Sequence, residues 1–221
     1  MPGSWEFSKP EVLVTVLTRE LVATKWAMGF RQMQFPPSAG FSVLSGMPFD
    51  HARNTACENL LKSDFTWLFF LDDDVVTPPD AYARLAAHGK DIVSGLYYRR
   101  AAPIRPVMLH YVAGDPNPQW IEKWSPANSL IEVDLVGAGC LLIHRRVIER
   151  MSQPWFEWQL GKPDEKTVDG KPGESKLSED FAFCRKAKRD FGFQIFVDTS
   201  IQCEHIGLGQ SAGGGFVPSH V

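Results

Sequence analysis

Thr66-Trp67-Leu68-Phe69-Phe70-Leu71-Asp72-Asp73-Asp74-Val75 passes from a run of large apolar side chains straight into three consecutive carboxylates. A short apolar run of this kind, bounded by turn signals, reads as a strand buried on both faces. The open end of such a strand in an α/β sheet is where ligands bind. Adjacent Asp residues repel one another and favour a cation. If Asp72 and Asp74 converge as the chain leaves the strand, they offer hard oxygen ligands suited to Mg²⁺ or Mn²⁺. The competing reading, that the acids only open the next helix, is weakened by Thr77-Pro78-Pro79-Asp80. There Thr77 as N-cap, proline at the first helical position and Asp80 at N3 form a capping box of their own.

Working outward, Glu11 to Thr18 is β-branched and apolar and predicts a first central strand. Leu21 to Met33 predicts a helix, Phe41 to Gly46 a second strand, and Asp50 to about Lys62, with Asp50 as cap, the helix that feeds the organising strand. Pro78 to His88 reads as a helix and Asp91 to Tyr98 as a strand. Strands alternating with helices through short connections predict an α/β fold with a mostly parallel sheet, Rossmann-like over about residues 11–100, holding a nucleotide-type ligand at its strand ends.

Residues from about 101 to 207 change character, with Pro, Gly and Asn around short segments that predict a smaller β elaboration. Candidate strands are Val107 to Tyr111, Leu130 to Asp134, Ala138 to Ile143, Trp155 to Trp158 and Phe193 to Asp198. Arg145 to Met151 predicts a short helix, and Ser178 caps a longer one running to about Phe191. Gly161 to Lys176 is the expected mobile loop. Residues 1–207 are expected to form one domain, followed by a flexible Gly-rich tail over 208–221.

A chain of 221 residues with net charge -3 has no global basic excess pointing to nucleic acid, although a local patch would serve such an acceptor. The start of the chain lacks the pattern of a signal peptide, and no run approaches the roughly 20 apolar residues of a membrane span, so the expected location is cytoplasmic. Cys57, Cys140, Cys184 and Cys203 show no paired C-x-x-C spacing and are expected to be reduced core thiols.

Several ordered segments together resemble the GT-A glycosyltransferases, in particular the large family 2 group, over roughly residues 11 to 207. Leu71-Asp72-Asp73-Asp74 is similar to that family's DxD signature, and Ala52-Arg53-Asn54 to the Ala-Arg-Asn at the start of the preceding helix. Val136-Gly137-Ala138-Gly139-Cys140 resembles the acceptor-side glycine segment. Ser178-Glu179-Asp180 resembles the Glu-Asp motif, and Cys203-Glu204-His205 supplies a late histidine.

The resemblance implies a metal-dependent enzyme that moves a single sugar from a nucleotide-diphosphate sugar, UDP-linked above all, to an acceptor hydroxyl with inversion. A divalent ion, Mn²⁺ or Mg²⁺, neutralises the departing diphosphate by Lewis-acid action. Asp74 would bind it directly, Asp72 would share it or contact ribose, and His205 would be the third protein ligand. Asp180 is the expected base that takes the acceptor's proton, with Glu179 beside it. Thr18, Arg19 and Glu20, at the end of the first strand, are placed to contact base or ribose. Asp72 and Asp73 count with them among the donor-contacting residues, and Arg53 offers phosphate a bidentate fork.

Gly137 and Gly139 would allow close approach of the acceptor, and Trp120, Trp124, Trp155 and Trp158 offer rings for a sugar. The acceptor class is open: glycan, lipid-linked sugar, protein or modified nucleobase. Two other readings remain beside this one. One is a haloacid-dehalogenase-like phosphatase using Asp72 and Asp74, although its motif normally follows the first strand. The other is a non-catalytic carbohydrate-binding relative.

Overall fold

The computed structural model describes residues 11–100, 102–160 and 176–207. The first part of the chain runs β1 (Val12–Thr18), α1 (Thr24–Gln32), β2 (Gly40–Ser45), α2 (Phe49–Leu61) and β3 (Trp67–Asp72). It continues through β4 (Val75–Val76), α3 (Ala81–Ala87) and β5 (Ile92–Leu96). Then come β6 (Met108–Tyr111), β7 (Pro118–Trp120), β8 (Leu130–Val133), β9 (Leu135–Val136), β10 (Cys140–His144) and α4 (Arg145–Arg150). The described chain closes with β11 (Gln159–Leu160), β12 (Lys176–Leu177), α5 (Glu179–Phe191), β13 (Ile195–Gln202) and β14 (Glu204–His205).

Seven strands form the main sheet in the order β2-β1-β3-β10-β5-β13-β8. The pairings of β1 with β2, β1 with β3 and β5 with β13 are parallel, while β10 runs against both β3 and β5 and β8 runs against β13. Five strands therefore share one direction and two oppose it, a mostly parallel sheet as expected. The organising run is buried as its composition requires: Leu68, Phe69, Phe70 and Leu71 lie within β3 with almost no exposure. Because side chains alternate along a strand, Phe70 feeds the core beneath α2 and α5, whereas Phe69 and Leu71 feed the core beneath α1 and α3. The ends of β1 and β3 then meet at one edge, with Leu17 opposite Asp72.

Helix boundaries depart from the expectations where caps were invoked. The box Thr77-Pro78-Pro79-Asp80 does not form. α3 starts at Ala81 with Asp80 at the N-cap and no side-chain cap bond, while the Thr77 hydroxyl lies 3.1 Å from the sulfur of Met33. Two successive prolines leave the chain in a turn before the helix begins. Asp50 lies inside the first turn of α2 and Pro48 takes the cap position. Trp155 to Trp158 is not a strand; Asn54 of α2 holds it in an irregular path. Its Oδ1 accepts the N–H groups of Trp155 and Phe156 at 2.9 and 3.1 Å, and its Nδ2 donates to the Phe156 carbonyl at 2.7 Å. All four cysteines are buried free thiols. Most of the expected mobile loop and the whole expected tail lie outside the described residues.

Candidate functional site

The carboxyl end of β3 is fixed through its backbone before its side chains come into play. Asp72 N–H donates to the Gly139 carbonyl at 3.1 Å, and the Asp72 carbonyl accepts the Trp26 indole N–H at 2.9 Å. β14 then pairs antiparallel with β4, setting His205 opposite Val75 and so beside Asp74. The Asp74 carbonyl accepts the Ile206 N–H at 2.7 Å, which locks the late histidine to the acid cluster.

The three acids have different partners. Asp72 receives Arg53 Nη2 at 3.0 and 3.3 Å on its two oxygens. Asp73 accepts the Arg19 backbone N–H at 3.2 Å. Asp74 is ion-paired to Arg100 Nη1 at 2.6 Å and lies 3.4 Å from His205 Nε2. His205 Nδ1 is 2.7 Å from the Tyr98 carbonyl, a geometry in which Nδ1 carries the proton and Nε2 faces Asp74. Burial draws the His205 pKa down, but Asp74 and the Tyr98 carbonyl outweigh it, and the net shift is upward. Burial likewise raises Asp74, and His205 and Arg100 more than reverse this, so its carboxyl titrates below the usual range. Asp72 moves the other way: burial raises it, Asp74 and Asp180 add to the rise, and Arg53 only partly opposes them.

Arg53, read from sequence as a helix residue reaching for phosphate, is only 2 % exposed. Its guanidinium lies over the rings of Phe70 and Phe156, with centroids at 5.1 and 6.0 Å. Its Nε reaches Glu179 Oε1 at 3.3 Å, so one cation bridges the acid at the end of β3 to the acid at the start of α5. Burial disfavours that cation, and Asp72, Glu179 and Asp180 outweigh the effect, holding its pKa above the ordinary value. Nη1 is buried without a hydrogen-bond partner among the described residues. Glu179, also buried, is raised to about 7, first by burial and then by Asp180, with Arg53 opposing.

Ser178 occupies the N-cap of α5, yet its hydroxyl bonds the Asp180 carboxylate rather than the helix backbone. Asp180 also accepts the N–H of Phe181 at 2.8 Å and of Ala138 at 3.3 Å, which ties α5 to the glycine segment. At that segment Tyr97 makes the close approach. A Cβ on Gly137 would meet the Tyr97 hydroxyl oxygen at 1.9 Å, and that hydroxyl accepts the Gly139 N–H at 3.1 Å.

These groups line one open cavity of about 560 Å³. It gathers Asp72, Asp73, Asp74 and His205 from one side, Glu179 and Asp180 from the other, and Arg19, Arg53, Arg99 and Arg100 around them. Thr18 lines an adjoining hollow of about 160 Å³ with Leu17, Leu44 and Phe49, and Arg19 and Phe49 border both spaces. Glu20 lines neither; it adopts φ of 81°, a left-handed conformation costly for a residue with a Cβ, at the turn that leaves β1. Of the tryptophans, Trp155 is in the core and Trp158, 48 % exposed, borders the cavity.

Two of the three expected metal ligands are engaged by arginines of the chain itself. Asp74 and His205 are a carboxylate and an imidazole of the kind that bind Mn²⁺, but the Asp72 carboxylate is held by buried Arg53 and the face of Asp74 is taken by Arg100. Among the described residues no three His, Cys, Asp or Glu side chains are disposed to hold one ion. As placed, Asp72, Asp74 and His205 do not fit a three-ligand centre.

No protein-family model and no curated protein sequence matches the chain. Among solved structures, A197 from STIV superposes with a TM-score of 0.60 at 20% identity, over 89% of this chain and 85% of that one. The fold is GT-A-like. A structure of GalNAc-T7 with UDP, GalNAc and Mn²⁺ overlaps at TM-score 0.48 and 11% identity, over 91% of this chain but 44% of that one. S. aureus TarS 1-349 in complex with UDP-GlcNAc overlaps at 0.48 and 14%, over 92% and 60%. The chain thus spans about half the length of those two proteins, and overlaps of this size say nothing of activity.

Sequence reasoning missed three residues that line the cavity. Arg99 and Arg100 read as the start of a loop, although two arginines directly after a buried strand place positive charge at the sheet edge that also carries the acids. Tyr97 read as part of the strand, and nothing in its local sequence marks it as the group that fills the space over Gly137.

Proposed function

We propose that this protein is a glycosyltransferase that moves one sugar from a nucleotide-diphosphate sugar to an acceptor hydroxyl. The observation that carries the reading is the single cavity in which the acids and arginines at the ends of β1, β3 and β5 face the acid pair at the start of α5. A nucleotide base fits the smaller, mainly apolar hollow beside Thr18 and Phe49, and Arg19 at the border of both spaces leads from it to the diphosphate. The unpartnered Nη1 of Arg53 requires an acceptor, which an oxygen of the bound donor supplies.

Asp180 is the base in this reading. Its carboxylate is held in place by Ser178 and by two backbone N–H groups, and it borders the cavity. The acceptor oxygen gives its proton to Asp180 as it bonds to the anomeric carbon. The bond from that carbon to the diphosphate breaks on the opposite side, the electron pair leaves with the diphosphate, and configuration inverts. Trp158 offers an exposed ring at the rim on which an acceptor sugar can stack.

Thermal denaturation with UDP, GDP and TDP tests the reading, because a ligand bound only by the folded state raises Tm. At least one is expected to do so, and Asp180→Asn should keep that shift while losing transfer. Loss of both together would remove Asp180 from the role of base.

A further inference from the structure

Asp74 lies where the sequence places a divalent ion, yet the charge opposite it is a guanidinium belonging to the chain. Arg100 Nη1 stands 2.6 Å from Asp74 Oδ2, with the arginine side chain 43% exposed and the carboxylate 28% exposed. The pair thus borders the cavity rather than closing it. Arg53 is almost wholly buried between its two carboxylates, whereas Arg100 lines the cavity with a side chain open to solvent. A guanidinium carries five N–H groups, so one carboxylate leaves several for another anion.

Arg19 and Arg99 line the same cavity. Together with Arg53 and Arg100 they bring four guanidiniums against the five carboxylates of Asp72, Asp73, Asp74, Glu179 and Asp180. The formal balance is close to neutral before any metal is added, so an arriving diphosphate does not face an uncompensated acid cluster.

We propose that Arg100, anchored by Asp74, is the resident cation that receives the donor's diphosphate, with Arg19 and Arg99 beside it, in place of a metal held by Asp72, Asp74 and His205. This rests on the donor reading above and goes beyond it by naming how the site holds the diphosphate's charge. Asp74 then positions Arg100, as a carboxylate commonly orients an arginine that grips phosphate. Arg100 lies four residues beyond the end of β5, just past the isolated bridge between Tyr98 and Pro106.

The test is calorimetric titration of the purified protein with UDP, GDP and TDP, each in EDTA and in Mn²⁺, alongside uridine, guanosine and thymidine as controls lacking phosphate. Nucleoside diphosphate binding is expected to persist in EDTA. Arg100→Ala is expected to weaken it about ten- to a hundredfold, the range for a lost charge-assisted contact, while leaving nucleoside binding unchanged. Arg100→Lys, which keeps the charge and loses the fork, should fall between. An unchanged melting temperature of each unliganded variant excludes misfolding as the cause. Binding that appears only with Mn²⁺ and survives Arg100→Ala overturns this proposal and leaves the donor reading standing. Failure of every nucleoside diphosphate to bind the unaltered protein in either condition overturns both.

Discussion

Arg53 shows how one side chain joins the two halves of the site. It bridges Asp72 on one side and Glu179 on the other from a position only 2 % exposed. Removing a charge from a buried pair leaves its partners uncompensated, at about 3–5 kcal/mol. Arg53→Met should therefore lower unfolding free energy by that order in denaturant titration, and a second change, Asp72→Asn, should recover part of the loss. Additive losses would show that the two groups do not interact.

Glu179 gives the same cluster a pH dependence. Its folded pKa is raised from 4.5 to about 7, so between those values the folded chain holds a proton that the unfolded chain has released. Stability from this group is fully present below about pH 4.5 and declines as pH rises toward 7, by at most about 1.4 kcal/mol per pH unit. Glu179→Gln should flatten that slope in chemical denaturation run at pH 5, 6 and 7. An unchanged slope would mean that Glu179 ionises normally.

At the scale of elements, the apolar run before Asp72 was enough to place β3, since Leu68 to Leu71 have no stable position outside a covered sheet. Caps were less legible. Thr77, Asp50 and Ser178 each have the composition of a cap, yet none of them makes a cap bond to the backbone. Distant Met33 takes the Thr77 hydroxyl, and the neighbouring Asp180 side chain takes that of Ser178. Arg100 was hidden for a related reason: its partner Asp74 lies 26 positions earlier and meets it only when β5 joins the sheet. Asn54 is the clearest element-scale contact, because it pins the irregular segment at Trp155 and Phe156 to α2 through bonds at 2.7 to 3.1 Å. Asn54→Ala strands those backbone groups and should cost about 2–3 kcal/mol. Hydrogen exchange at Trp155 and Phe156 should quicken by more than elsewhere in the sheet. A uniform change would place the effect in global stability instead.

Across the whole molecule, the alternation of strands and helices foretold the parallel half, and the later strands complete it by insertion. β10 enters antiparallel between β3 and β5, carrying the glycine segment to the edge of the acid cluster. Composition cannot reveal an insertion of that kind, because it depends on which strands are neighbours rather than on what each contains. The result brings the end of β3 and the start of α5 to opposite sides of one cavity. Among the described residues no helix is long and apolar enough to cross a membrane. The most direct test of the central claim is product analysis after incubation with UDP-, GDP- and TDP-hexoses, with water as the fallback acceptor. The account predicts release of the intact nucleoside diphosphate from at least one donor, abolished by Asp180→Asn. Release of inorganic phosphate, or no product from any donor, would contradict it.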